Sequence, residues 1–144
     1  MDKNVTVDVY GPFHDEDLEE MLDNSDVNYQ GVLKAEEVIP KLKEYDILLL
    51  PTYHEGEGYP GIIIESMAVG LPVVTTNWKS IPDMIQDGYN GRLLIPKDAI
   101  LLAKTMNSIS EEEYLKMANN ARDSFKNFDL NVVYGKLLAL TKAL

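Results

Sequence analysis

The stretch from Asp46 to Thr76 constrains the fold more than any other part of the chain. Asp46 to Leu50 becomes a continuous apolar run, as in a strand covered on both faces. It leads into a loop crowded with glycine, Pro51-Thr-Tyr-His-Glu-Gly-Glu-Gly-Tyr-Pro-Gly61. Gly61 to Val69 reads as a short helix, which Gly70 and Pro72 stop. Pro72 to Thr76 then starts a second strand. Two strands joined through a helix are parallel, because a tight hairpin cannot contain the crossover. The predicted fold class is therefore α/β, a Rossmann-like parallel sheet flanked by helices.

The loop carries the chemistry. Gly56, Gly58 and Gly61 are expected to take backbone shapes closed to other residues and to let a ligand approach the main chain. Pro60 suits a helix entrance, where a missing N–H costs nothing. The first N–H groups of the helix, from Gly61 to about Ile63, then face whatever lies in front. Such a site favours an anion by about 0.3–1 kcal/mol, and a phosphate fits it. Glu57 lies in the loop, and Glu65 lies one turn into the helix, about 6 Å along its axis. Carboxylates beside a phosphate site make better acceptors for hydroxyls, such as those of a ribose or a sugar. Beyond the next strand, Trp78-Lys79-Ser80 occupies the carboxyl end of the sheet, where ligands bind in open α/β folds. Lys79 is a candidate for the phosphates, and Trp78 is expected to pack.

Gly56-Glu-Gly-Tyr-Pro-Gly61 also matches the dinucleotide fingerprint G-x-G-x-x-G, a weak signal alone. In that fingerprint the first glycine follows its strand closely, and an acid ends the next strand. Here Leu50 and Gly56 are well separated, and the next strand ends in Thr75-Thr76-Asn77. A pair of glycosidase carboxylates explains neither the glycines nor the helix entrance.

Several motifs in order carry a more specific resemblance. Glu57, seven residues, Glu65 and then Ser-Met-Ala-Val-Gly-Leu-Pro-Val-Val resembles the signature of family-4 retaining glycosyltransferases of the GT-B fold. Ser66 replaces their common alanine. Tyr10-Gly11-Pro12, the strand Val27 to Val32, and Ile81-Pro-Asp-Met-Ile-Gln-Asp-Gly-Tyr-Asn-Gly91 resemble flanking motifs of the same family. The resemblance covers about residues 5 to 130. It implies that residues 1–144 are one donor-binding domain, the C-terminal half of a GT-B fold truncated on its N-terminal side.

By that resemblance Glu57 is the catalytic residue, contacting the donor sugar near its reacting centre. Glu65 accepts hydrogen bonds from the ribose. Main-chain groups of Gly58, Tyr59, Pro60, Gly61 and Ile62 line the sugar and the distal phosphate. Backbone groups near Val32 and Leu33 meet the base. The substrate is a nucleoside-diphosphate sugar of UDP or GDP type, with no cofactor and no bound metal. The acceptor is a glycan or a lipid-linked sugar. The family's donor domain normally opens with a further strand, central in its sheet, and with an Arg and a Lys that clamp the diphosphate; all are missing here. So is the acceptor domain. The expectations are a chain inactive by itself, or a binding module completed by a partner chain or a homodimer. Its place is cytoplasmic, and membrane-peripheral once assembled.

The remaining sequence agrees with one soluble domain. At 144 residues the chain can bury about two-thirds of its unfolded surface. A net charge of −11 argues against nucleic acid or an anionic membrane as partner. There is no cysteine, and no apolar stretch long enough to span a bilayer. Further strands are expected at Val5 to Tyr10 and Arg92 to Ile95. Helices are expected at Asp15 to Leu22, with an acidic solvated face, and at Ala35 to Tyr45, with Pro40 near the first turn. A helical turn is expected at Ile81 to Ile85, and a helix capped by Asp98 runs to Met106. Ser110 and Glu113 form a capping box. The helix beyond carries a packing stripe of Tyr114, Ala118, Ala121, Phe125 and Phe128. Leu130 to Leu144 is a last helix, also expected to pack. His14 reads as a surface or capping residue, and His54 as a minor candidate for substrate contact.

Overall fold

The structure is a computed structural model that describes residues 5–12, 20–22 and 25–142. His14 and most of the expected helix at Asp15 to Leu22 lie outside the described residues; residues 20–22 are helical. The architecture is α/β with parallel strands flanked by helices, as predicted. The chain forms two compact units, Met1–Val38 and Ile39–Leu144.

In the first unit β1 (Asp8–Val9) and β2 (Asn28–Tyr29) pair in parallel, with Asp8 opposite Asn28. The ladder continues past both strands, since the Asn28 N–H donates to Val7 O and the Gly11 N–H to Gly31 O. Both strands are shorter than predicted. Val5 and Val32 at the outer ends are 47 % and 64 % exposed, so packing does not extend the pairing that far. The helix α1 (Ala35–Leu42) follows. It ends before the predicted Tyr45, and Pro40 sits in its second turn rather than its first. Proline cannot donate to the carbonyl four residues back, and the helix stops two residues later.

The second unit holds a three-stranded parallel sheet in the order β3 (Leu48–Leu50), β4 (Val73–Thr76), β5 (Gly91–Leu94). Leu48 pairs with Val73, and Val73 with Gly91. The single sheet expected from the sequence is thus two sheets, one in each unit. Strands alternate their side chains between two faces. Leu48, Leu50, Val73 and Leu93 face one layer, with Ile63 and Met67 of α2 (Gly61–Val69). Leu49, Val74 and Leu94 face the other, with Leu101, Leu102 and Met106 of α3 (Ala99–Ser108). The central strand β4 is buried throughout, as a strand covered on both sides must be.

The helix α4 (Glu111–Phe125) serves both layers, with Tyr114 and Met117 in one and Ala121 and Phe125 in the other. The predicted stripe is partly right. Phe128 packs on the core from beyond the helix end, and the fully buried Met117 was not in the stripe. The capping box is half formed. Ser110 Oγ accepts from the Glu113 N–H at 3.2 Å, but the Glu113 carboxylate pairs with Arg92 instead of turning back. Asp98 caps α3 through the Leu101 N–H, and that helix runs to Ser108. The helix α5 (Leu130–Lys142) departs from expectation. All its described side chains are exposed, including Leu130, Tyr134 and Leu138, so the described apolar residues form no buried packing face.

Gly70 ends α2 in the left-handed region, at φ 76°. Its N–H bonds Met67 O and the Leu71 N–H bonds Ser66 O, which satisfies the last carbonyls. A Cβ at Gly70 would be strained by that φ and would press into the Arg122 side chain. Gly70→Ala is expected to cost about 1–2 kcal/mol, read as a lower midpoint in urea with an unchanged slope.

Candidate functional site

The glycine loop is held by the ends of two strands. Thr75 and Thr76 are fully buried at the end of β4, where each hydroxyl must find an acceptor. Thr75 Oγ1 donates to Leu50 O at 2.8 Å, and Thr76 Oγ1 donates to Thr52 O. These bonds fix the chain where it leaves β3. The residues after β4 then hold the far side of the loop. Trp78 Nε1 donates to His54 O at 2.8 Å, Lys79 Nζ pairs with Glu55 at 3.0 Å, and Ser80 Oγ donates to Gly58 O. The Tyr59 hydroxyl reaches Asp83 at 3.4 Å. Loss of hydration and then the Asp83 carboxylate hold the Tyr59 phenol above its ordinary range.

Within this frame Glu57 is half-buried, and its Oε2 accepts a 2.8 Å hydrogen bond from Thr52 Oγ1. Glu55, which competes for the same role on sequence, is 81 % exposed at its side chain and tied to Lys79. Glu65 is half-buried on α2, and no hydrogen bond or ion pair engages it among the described residues. Residues four apart share a helix face, and helical side chains lean toward the N-terminus. Glu65 thus stands over Gly61, where a Cβ would meet nothing within 4 Å. Its neighbour Ser66, in place of the usual alanine, is buried and donates to Leu71 O at 2.9 Å.

The start of α2 is uncapped. Pro60 is extended, at φ −63° and ψ 115°, and no side chain bonds the first N–H groups. The Ile63 N–H is used by Pro60 O at 3.1 Å, which narrows the free donors to Gly61 and Ile62. The glycines meet half of the expectation. Neither Gly56, Gly58 nor Gly61 has a positive φ. What Gly58 and Gly61 supply is room, since a Cβ on either faces open space. A side chain at Gly56 would meet the His54 imidazole instead.

Two lysines bear on the loop. Lys79 takes φ 50°, and its ammonium lies 5.3 Å from the centre of the Trp78 ring. Trp78 itself packs against the core, as predicted. Lys97 takes φ 65° and sits 4.8 Å over the Tyr53 ring; nothing in the sequence marks it. Val32 and Leu33 belong to the first unit, between β2 and α1. Among the described residues no group of three acidic or histidine side chains is placed to hold a metal, and no helix is long and apolar enough to cross a membrane.

Parallel strands, an uncapped helix after a roomy loop, and carboxylates in the loop and one turn into the helix make up part of the Rossmann-like GT-B fold of glycosyltransferases. Residues 1–112 match the glycosyl transferases group 1, and the chain belongs to that family. WcaL of Escherichia coli K12, a glycosyltransferase named for colanic acid biosynthesis, is 32 % identical over 126 residues. AmsK of Erwinia amylovora, named for amylovoran biosynthesis, is 40 % identical over 91 residues. These alignments cover 82 % and 60 % of this chain, but only 31 % of WcaL and 22 % of AmsK. Among solved structures, HepE of Anabaena in complex with UDP-glucose superposes with a TM-score of 0.79 at 22 % identity. That match covers 99 % of this chain and 42 % of HepE.

Proposed function

We propose that residues 1–144 form the C-terminal, donor-binding domain of a retaining family-4 glycosyltransferase. The domain binds a nucleoside-diphosphate sugar, with UDP as the first candidate because the fold neighbour HepE is solved with UDP-glucose. Glu65 accepts from the ribose hydroxyls, and the free N–H groups of Gly61 and Ile62 meet the distal phosphate. Glu57 faces the sugar. In the reaction the bond from the anomeric carbon to the diphosphate oxygen breaks. The sugar passes to a hydroxyl of a glycan or lipid-linked acceptor with its configuration retained, and the acceptor proton is released. No metal or cofactor takes part. Oriented N–H groups stabilise the charge growing on the leaving diphosphate.

The observation that carries this reading is the half-buried Glu65 carboxylate, unpartnered among the described residues and set over an open helix entrance. Its oxygens are open to solvent, so a ligand hydroxyl can replace water there without breaking a protein contact. The acceptor-binding part comes from further chain or from a partner, so transfer is slow or absent with these residues alone. We place the assembled protein in the cytoplasm, at the membrane surface where the acceptor is lipid-linked.

A second reading, an assembly module completed by a partner chain or a homodimer, has its own support. The Lys79 cation is already paired with Glu55 in a chain of net charge −11, and α5 exposes apolar residues. Calorimetric titration with UDP, GDP and ADP, beside a solution mass, separates the two. Binding of one nucleotide by a monomer is the expected result. A stable oligomer that binds none favours the module.

A further inference from the structure

We infer that Thr52 is a positioning residue for Glu57, fixing which carboxylate oxygen a donor sugar meets. This rests on the donor-binding reading above. The Thr52 hydroxyl donates to Glu57 Oε2 at 2.8 Å in a half-buried setting and accepts from the His54 N–H at 3.2 Å. Its proton is therefore directed at the carboxylate and its lone pair at the backbone. The residue cannot swing away. Its carbonyl is held by Thr76 Oγ1 from the buried end of β4, and its own N–H bonds Leu50 O at 2.8 Å. The Glu57 N–H is in turn anchored to His54 O at 3.1 Å.

The consequence is a carboxylate with one oxygen committed and one open. Oε1 of Glu57 has no hydrogen-bond partner among the described residues. A carboxylate attached to a loop by flexible bonds would sample several orientations. The hydroxyl bond selects one, so that Oε1 is presented and the side chain loses little freedom on meeting a hydroxyl. Serine supplies the same proton, whereas valine keeps the shape and removes it.

The test compares UDP with UDP-glucose by calorimetry on the parent chain, Thr52→Val, Thr52→Ser and Glu57→Ala. In the parent, UDP-glucose is expected to bind more tightly than UDP. Thr52→Val is expected to weaken UDP-glucose by about five- to tenfold, within the scale of one typical net hydrogen bond, and to leave UDP unchanged. Thr52→Ser restores the sugar contribution. Thr52→Val made on Glu57→Ala adds no further loss. Equal weakening of UDP and UDP-glucose by Thr52→Val would mean a merely structural role and would overturn the inference. So would a Thr52→Val chain that keeps the parent's preference for UDP-glucose. If the parent binds UDP with no gain from the sugar, Glu57 does not face it and Thr52 positions nothing. A parent that binds no UDP overturns the donor-binding reading itself, and this inference with it.

Discussion

Glu65→Ala is expected to lower the affinity for UDP by about ten- to a hundredfold while leaving the thermal midpoint unchanged. A hydrogen bond to a charged group contributes about 1.5–3 kcal/mol, which spans that range. The unchanged midpoint follows from what Glu65 lacks. No described residue bonds or pairs with it, so its removal from the free protein breaks no hydrogen bond or ion pair. Alanine is also the better helix former in α2. Loss of binding without loss of stability is the signature of a side chain kept for a ligand. The ribose role has a sharper check in UDP lacking both ribose hydroxyls. That analogue should bind the parent as weakly as UDP binds Glu65→Ala, and Glu65→Ala should not tell the two apart. An analogue that binds the parent as well as UDP would remove the ribose from the account.

Gly91→Ala is expected to be among the most destabilising single substitutions in the chain. Gly91 opens β5, opposite Val73 of the buried central strand. A Cβ there collides with the Val73 carbonyl oxygen, which belongs to the sheet backbone and has nowhere to move. It also comes within 3.1 Å of Ile85 Cγ2 in the core. Overpacking of this kind costs about 3 kcal/mol at the upper end of its usual range. For a chain of this length that is a fall of about 10 °C in Tm by calorimetry. The contrast with Gly58 and Gly61 is instructive, since a Cβ at either meets nothing. Alanine at those two positions should leave Tm unchanged and act on ligand affinity alone.

The strand–loop–helix–strand unit was legible because its signals are local. An apolar run, a glycine loop, and the Gly70 and Pro72 stops each specify a few residues of backbone. The observed α2 has the predicted bounds, and β3 and β4 lie within the predicted strands. The Asp98 cap and the Ser110 cap were readable for the same reason. What the sequence hid lies at long separation. The bonds from Thr75, Thr76, Trp78 and Lys79 to the end of β3 and the glycine loop span 24 or 25 residues, and periodicity carries no trace of them. One signal did exist. Two threonines ending a strand buried on both faces must find acceptors, and the neighbouring strand end is the nearest source.

Two other misreadings have physical causes. At Gly58 and Gly61 glycine provides the expected room for a ligand but not the expected special backbone shape, since neither φ is positive. From composition these two uses look alike. The apolar residues of α5 were read as a packing face. Amphipathic spacing shows that a helix has such a face but not which surface covers it.

The central claim is that the entrance of α2 and Glu65 form a nucleotide site. Amide chemical-shift mapping of the 16.2 kDa chain during a UDP titration tests it most directly. The account expects saturable shifts concentrated at Gly58, Tyr59, Gly61, Ile62 and Glu65, and their loss in Glu65→Ala. Saturable shifts confined to other elements, such as α3 or the start of β5, or no shifts at millimolar UDP, would contradict it.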